Sequence, residues 1–453
     1  MDNPIPSDSI DFGALRKGLE EYLNAAMAAL ARRYPRPADL PHREVRGYHR
    51  PAPGHLAPHV RTAVYWRAVV RQSYEELDAL HTTRKLLELL TAEQKHGLGY
   101  LVGADLFGVR QIHPGTFVRA VLELALTSGG TFETSSSGPA HAIEEAVRYL
   151  ESSTVQFQVL APLHGFQCEV AAIEIEPDLV IIRLTDEDWE WLDPTNLMVD
   201  TLTLGHEEFA IRRRIELPKR LDNLSRGRSL PDHDRRVQED FSSVISCLRM
   251  FKAGAVGFSY YRWGPATWNP TSASVARSGS QPNRLVGSPY VITDADAVAL
   301  EPLFRDWRAK VRGSGRLAAA LRWFNSSYER LRVEERLVDY AIALEALVGD
   351  SEGDLTYRLS LRTAVLVGTS FDDRRDIAAL VRELYKVRSR VVHGTRVETI
   401  IKKLRRAHDL GTFVTRCEAL VRDAIRKHCQ GCSPEQDERF ITTLDDQMLG
   451  PAR

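Results

Sequence analysis

A chain of 453 residues with 43% hydrophobic and 27% charged content is long enough for two or three cores and too apolar to be disordered throughout. Its formal net charge of -1 excludes a uniformly basic nucleic-acid binder, while leaving room for local asymmetry. Five scattered cysteines (Cys168, Cys247, Cys417, Cys429, Cys432) do not make a disulfide framework at this length, so a reducing cytosol is expected.

The opening MDNPIPSDSIDFG carries acids and prolines where a signal peptide has a basic region and an apolar core. Together with the lack of any run near the roughly 18 apolar residues of a membrane span, this predicts a cytoplasmic protein without a membrane partner. Residues 11–33 read as an amphipathic helix, followed by a proline-bearing connector to about 55. Further helix is predicted over about 59–94 and 115–127, with a short helix at HAIEEAVRYLESS after the loop TSGGTFETSSSGPA.

From about 154 the texture changes. TVQFQVLAPL, FQCEVAAIEI, DLVIIRLT, EEFAIRRRIELP and AVGFSYYRW are rich in β-branched and aromatic residues and predict a small mixed or antiparallel sheet reaching about 263. Residues 264–284 have loop composition. After YVITDADA the chain reads as helical almost to its end. Val333, Leu337, Tyr340, Ile342, Leu344 and Leu347 recur at helical intervals, Ser370 and Asp373 form a capping-box-like pair, and a last helix is expected over 398–429.

The predicted fold class is therefore α+β and mainly helical. A helical amino-terminal region (1–150) comes first, then an α+β region with a possible sensor role (151–295), a helical bundle (296–432) and an acidic tail (433–453).

The segment ELYKVRSRVVHG breaks the helical pattern. Ile377, Leu380, Leu384, Val387 and Val391 define one apolar side, and Arg388, four residues after Leu384, falls on it. A guanidinium there needs a partner or contact with water, and Glu345 is the obvious acid; the alternative is a cleft that binds anions. His393, about 140° further round, shares no face with Arg388 on a regular helix, so a frayed last turn or a second subunit is needed to unite them. Other arginine and histidine pairs occur at similar spacing, among them Arg43 with His49, Arg50 with His55, Arg228 with His233 and Arg422 with His428.

The context of Arg388 differs from theirs. LVDYAIALEALVGD, YRLSLRTAVLVG and LYKVRSRVVHGT, over roughly residues 330–396, resemble the HEPN superfamily in its Apea-like branch. That resemblance implies a helical bundle that dimerises to bring two Arg and His pairs together, and a metal-independent endoribonuclease with no cofactor. It implies Arg388, Ser389 and His393 as catalytic residues, Glu345 and Tyr385 as their support, and Lys386, Arg390 and Arg396 as RNA contacts. Many members have Asn, Asp or His where this chain has Ser389. Many act in bacterial anti-phage defence or as toxins, which implies a phage-derived or other trigger for the first 295 residues to sense. The rival expectation is a bundle without catalysis that binds RNA or dimerises.

The residues suit that chemistry, because imidazole moves protons near neutral pH and arginine stabilises phosphate charge. From Asp372 to Lys427 the chain holds 15 Lys or Arg against 8 Asp or Glu, as phosphate-backbone binding requires. His428, Cys429 and Cys432 look like half a zinc site whose other half is missing, and no metal is expected.

Overall fold

Asp11 fixes the start of the first helix, its carboxylate accepting from the N–H groups of Gly13 and Ala14, and Leu15, Leu19, Tyr22, Leu23, Ala26 and Leu30 bury one face. The computed structural model describes residues 11–52, 55–95, 101–105, 108–192, 207–218, 230–271, 275–278, 288–350, 355–394, 409–431, 437 and 439–449. After α1 (Phe12–Arg33) come the hairpin β1 (His42–Ala52) and β2 (His55–Val64), helices α2 (Trp66–Gln72), α3 (Tyr74–Ala79) and α4 (His81–Lys95), and a second hairpin, β3 (Leu101–Asp105) and β4 (Gly108–Ile112). Helices α5 (Pro114–Gly129) and α6 (Ser137–Glu151) complete the region.

Helix was predicted over about 59–94 after an irregular connector; helix begins only at Trp66, running in three pieces to Lys95, and residues His42–Ala52 and His55–Val64 form the β1–β2 hairpin instead. Pro58 sits opposite Tyr48 in its ladder. A two-stranded ribbon consists of edges only, which is where a strand tolerates a residue that cannot donate.

Strands β5 (Thr154–Pro162), β6 (Phe166–Cys168), β7 (Ala172–Glu176), β8 (Leu179–Arg183), β9 (Phe209–Pro218), β10 (Tyr260–Pro265), β11 (Val275–Ser278) and β12 (Tyr290–Ile292) follow. Six of them form one antiparallel sheet in the order β11-β10-β5-β9-β8-β7, and β6 pairs with β12 in parallel. The expected loop over 264–284 thus contains β11. The strand-like stretch is also interrupted by α7 (Asp186–Leu192) and by the 22-residue α8 (Leu230–Phe251), in which Val237, Phe241, Val244, Ile245 and Leu248 are buried at helical spacing.

Alternation along β5 sends Val155, Phe157, Val159 and Ala161 into the main core, whereas Leu160 joins Trp189 and Leu192 of α7 on the other face. The main apolar cluster runs from α1 through the sheet to the last helix, so the changes of texture near 150 and 295 are not breaks in the core.

The carboxyl-terminal helices are α9 (Asp294–Gly313), α10 (Gly315–Ser327), α11 (Val333–Val348), α12 (Leu355–Val367), α13 (Phe371–Val392), α14 (Leu410–Gly431) and α15 (Phe440–Leu449). The chain is α+β and mainly helical. Among the described residues no helix is long and apolar enough to cross a membrane. The acidic tail is more than a solvated extension: α15 packs on α12, and Asp445 takes two hydrogen bonds of 2.7 Å from Arg362, which is 1% exposed.

Candidate active site

Helix α13 begins at Ser370, whose hydroxyl accepts from the Asp373 N–H at 3.2 Å. The reciprocal arm of the expected capping box goes elsewhere, because the Asp373 carboxylate accepts from the Thr369 N–H. Leu380, Leu384 and Val387 are buried, with Ile377 and Val391 packed at the margin, as the apolar stripe predicts.

Arg388 sits among them with its side chain one-third exposed, and its Nη2 donates to Glu345 Oε2 of α11 at 3.1 Å. Its guanidinium lies 5.7 Å from the centre of the Tyr385 ring. Tyr385 is itself buried and donates its hydroxyl to the Ala341 carbonyl at 3.3 Å. Burial first, and then the nearby Glu345 carboxylate, push the Tyr385 phenol well above its ordinary range, so it remains a proton-bearing donor. Arg388 Nε and Glu345 Oε1 are both buried without a hydrogen-bond partner among the described residues. The Arg388 guanidinium therefore holds one donor in reserve.

The opposite side of α13 is exposed. Lys386, Ser389, Arg390 and His393, three and four residues apart, form one accessible stripe, which Arg382 extends toward the helix start. Arg382 stacks on the exposed Tyr357 of α12 at 6.0 Å. Helical bonding persists to the end, with the His393 N–H donating to the Ser389 carbonyl at 3.2 Å. Gly394, at φ 83°, then takes the left-handed conformation that stops the helix.

The structure thus brings Arg388, Glu345 and Tyr385 together and places Ser389, Lys386, Arg390 and His393 on another face. Arg396 lies outside the described residues, as does the first part of the last predicted helix. The last turn is not frayed, so one chain does not unite Arg388 with His393.

The competing pair on α14 has structural work. Arg422 donates to Glu418, to the Tyr328 hydroxyl at 2.9 Å and to the Arg249 carbonyl at 2.8 Å, while His428 is buried against Phe440, with ring centres 4.2 Å apart. This also lowers the free charge of the basic stretch, since Arg422 is neutralised internally. Among the described residues no group of three or more His, Cys, Asp or Glu could hold a metal ion; Cys432 lies outside them.

Sequence reasoning missed a polar chain at one end of the sheet. His164 Nδ1 lies 2.6 Å from Glu207 Oε1, and its Nε2 lies 2.7 Å from Ser259 Oγ. The three residues flank the ends of the adjacent strands β5, β9 and β10, and 95 positions separate His164 from Ser259, so no local motif reveals them. The order of groups is that of a catalytic triad. Ser259 is 6% exposed, and the polar chain ties three strand ends together.

No family model, curated protein or solved structure matches the chain. The likeness to HEPN proteins therefore stands on the motif residues of α11, α12 and α13.

Proposed function

We propose that the carboxyl-terminal bundle is a cytoplasmic, metal-independent endoribonuclease of the HEPN type, active as a homodimer and serving bacterial anti-phage defence or a toxin role. The observation that carries this reading is the division of labour on α13: a guanidinium positioned by Glu345 on one face, and an accessible basic stripe ending in His393 on the other. Two chains facing each other would bring one Arg388 toward the other chain's His393.

In that arrangement the ribose 2′-oxygen gives its proton to one His393 and attacks the adjacent phosphorus. The P–O5′ bond breaks, and the 5′ oxygen leaves with that proton, handed on by the same imidazolium. The products are a 2′,3′-cyclic phosphate and a 5′-hydroxyl, with no water consumed. Arg388 stabilises the charge gathered on the phosphoryl oxygens, Ser389 hydrogen-bonds beside it, and Lys386 and Arg390 hold neighbouring phosphates.

The test is cleavage of RNA in chelator, with analysis of the product ends. Mixing Arg388→Ala chains with His393→Ala chains is expected to restore part of the activity that each has lost. Absence of restoration counts against a shared site. The ion pair of Arg388 with Glu345 also favours a second reading, in which the guanidinium is permanently occupied and the bundle binds RNA without cutting it. Binding without cleavage, in the presence of a trigger, is its signature.

Glu345 separates the two readings further. As a positioning residue it lets Arg388 drift when removed, so Glu345→Ala is expected to slow cleavage about 10²-fold, chiefly in kcat. Glu345→Gln, which keeps an acceptor, recovers part of that loss. A faster Glu345→Gln enzyme would identify Glu345 as a competitor of the phosphate.

A further inference from the structure

A cleft of about 1060 Å³ is walled by α2, α3, α5, α6 and the turn that follows β10, with no residue of α13 in its lining. Its volume lies at the upper end of sites that enclose a small ligand. Arg67, Arg119 and Arg148 face it, against Glu123 and Glu145. Two of these arginines are engaged: Arg148 with Glu145, and Arg119 with Asp78 at 2.7 Å. Arg119 nevertheless keeps a buried Nε without a hydrogen-bond partner among the described residues.

Arg67 is exposed and has no hydrogen bond or ion pair among the described residues. Glu123 is half-buried, and its carboxylate likewise accepts no hydrogen bond there. Burial raises its pKa, while Arg67 and Arg43 oppose the rise. An unbonded carboxylate beside unspent guanidinium donors calls for a ligand that is anionic at one end and a hydrogen-bond donor at the other. The wall also offers a fixed aromatic surface. Trp268 is half-buried and gripped edge-on by Phe117 and Tyr149, each with ring centres 5.7 Å away.

We infer that this cleft binds a nucleotide, with its phosphates on Arg67 and Arg119, its base against Trp268, and an amino-bearing edge of the base donating to Glu123. The assignment is independent of the ribonuclease reading, because it is measured as binding and not as RNA cleavage. Adenine, guanine and cytosine each present an exocyclic amine to a carboxylate. Uracil presents one ring N–H between two carbonyl oxygens that the carboxylate repels.

Equilibrium binding of ATP, GTP, CTP, UTP and inorganic triphosphate to the full chain tests the inference. Dissociation constants on the order of 100 µM or tighter are expected for the amino-bearing nucleotides, with UTP weaker by about tenfold. Arg67→Ala is expected to weaken all four nucleotides about tenfold with little change in melting temperature, since Arg67 is exposed and makes no hydrogen bond or ion pair among the described residues. Glu123→Gln is expected to erase the difference between ATP and UTP, a ratio that a general loss of stability does not produce. Failure of every nucleotide to bind at about 1 mM, or unweakened binding by Arg67→Ala, overturns the assignment. So does triphosphate binding as tightly as the nucleotides, which reduces the cleft to an anion site.

Discussion

His393→Ala is expected to lower metal-independent RNA cleavage by about 10²- to 10⁴-fold, the range that general acid–base catalysis contributes. Arg388→Ala is expected to cost about 10²- to 10³-fold, as does loss of a donor that stabilises charge developing in a transition state. Neither loss should come from unfolding. His393 is exposed at the helix end, and the described contact of its backbone N–H with Ser389 survives replacement of the side chain. Arg388→Lys tests the chemistry more sharply. It keeps the charge but lacks the planar fork that can hold Glu345 and a phosphate together, so little activity should return. Circular dichroism of all three variants should match the parent; His393→Ala should also melt as the parent does, while Arg388→Ala should melt slightly earlier, because Glu345 loses its ion-pair partner yet the fold persists at the assay temperature. Parent-like cleavage by His393→Ala and Arg388→Ala would sink the nuclease assignment, whatever the oligomeric state.

The part of this site that the sequence revealed is the part governed by local periodicity. Arg388 stood out because its neighbours at three and four residues are aliphatic, and Glu345 could be named as its partner because α11 supplied an acid at the right end of a similarly apolar helix. The separation of Arg388 from His393 followed from 100° per residue, and the intact last turn keeps it. The β1–β2 hairpin was hidden for the opposite reason. It has no apolar alternation and carries prolines, so neither of the two periods that mark buried elements is present. Helix α8 was lost between strand-like segments even though Phe241, Val244, Ile245 and Leu248 give it a clear face. Contacts that join distant positions, such as Asp445 with Arg362 or His164 with Ser259, leave no local trace at all.

Glu418→Ala is expected to be among the most destabilising single changes in the bundle, for a reason equally invisible in the sequence. The Glu418 carboxylate accepts from the Tyr328 hydroxyl at 2.8 Å, from Arg336 at 3.3 Å, from the Tyr340 hydroxyl at 3.4 Å and from Arg422. Its two arginines are 7% and 6% exposed, and a third, Arg249, is fully buried over the Tyr328 ring at 4.5 Å. Burial alone pulls Arg249 down to about 10. At Arg422 the neighbouring Tyr328 and Glu418 outweigh the same burial and hold the guanidinium above its ordinary value. Burial, with Glu418 next, pushes Tyr340 up to about 12.

Removing the carboxylate leaves concentrated positive charge in an apolar surrounding, and breaking such a pair costs about 3–5 kcal/mol. A fall in melting temperature on the order of 10 °C should follow. Glu418→Gln retains an acceptor but not the charge and should lose a large share of the same stability. In a double-mutant cycle, Arg422→Met should offset part of the loss caused by Glu418→Leu, because both buried charges then leave together. Strict additivity of those two changes would mean that the network is solvated in solution. This charge-rich joint also ties α14 to α8 and α10 through Arg249, whose side chain donates to the Val256 and Asn325 carbonyls. Its loss should therefore loosen the seating of the bundle on the rest of the chain as well as α14 itself.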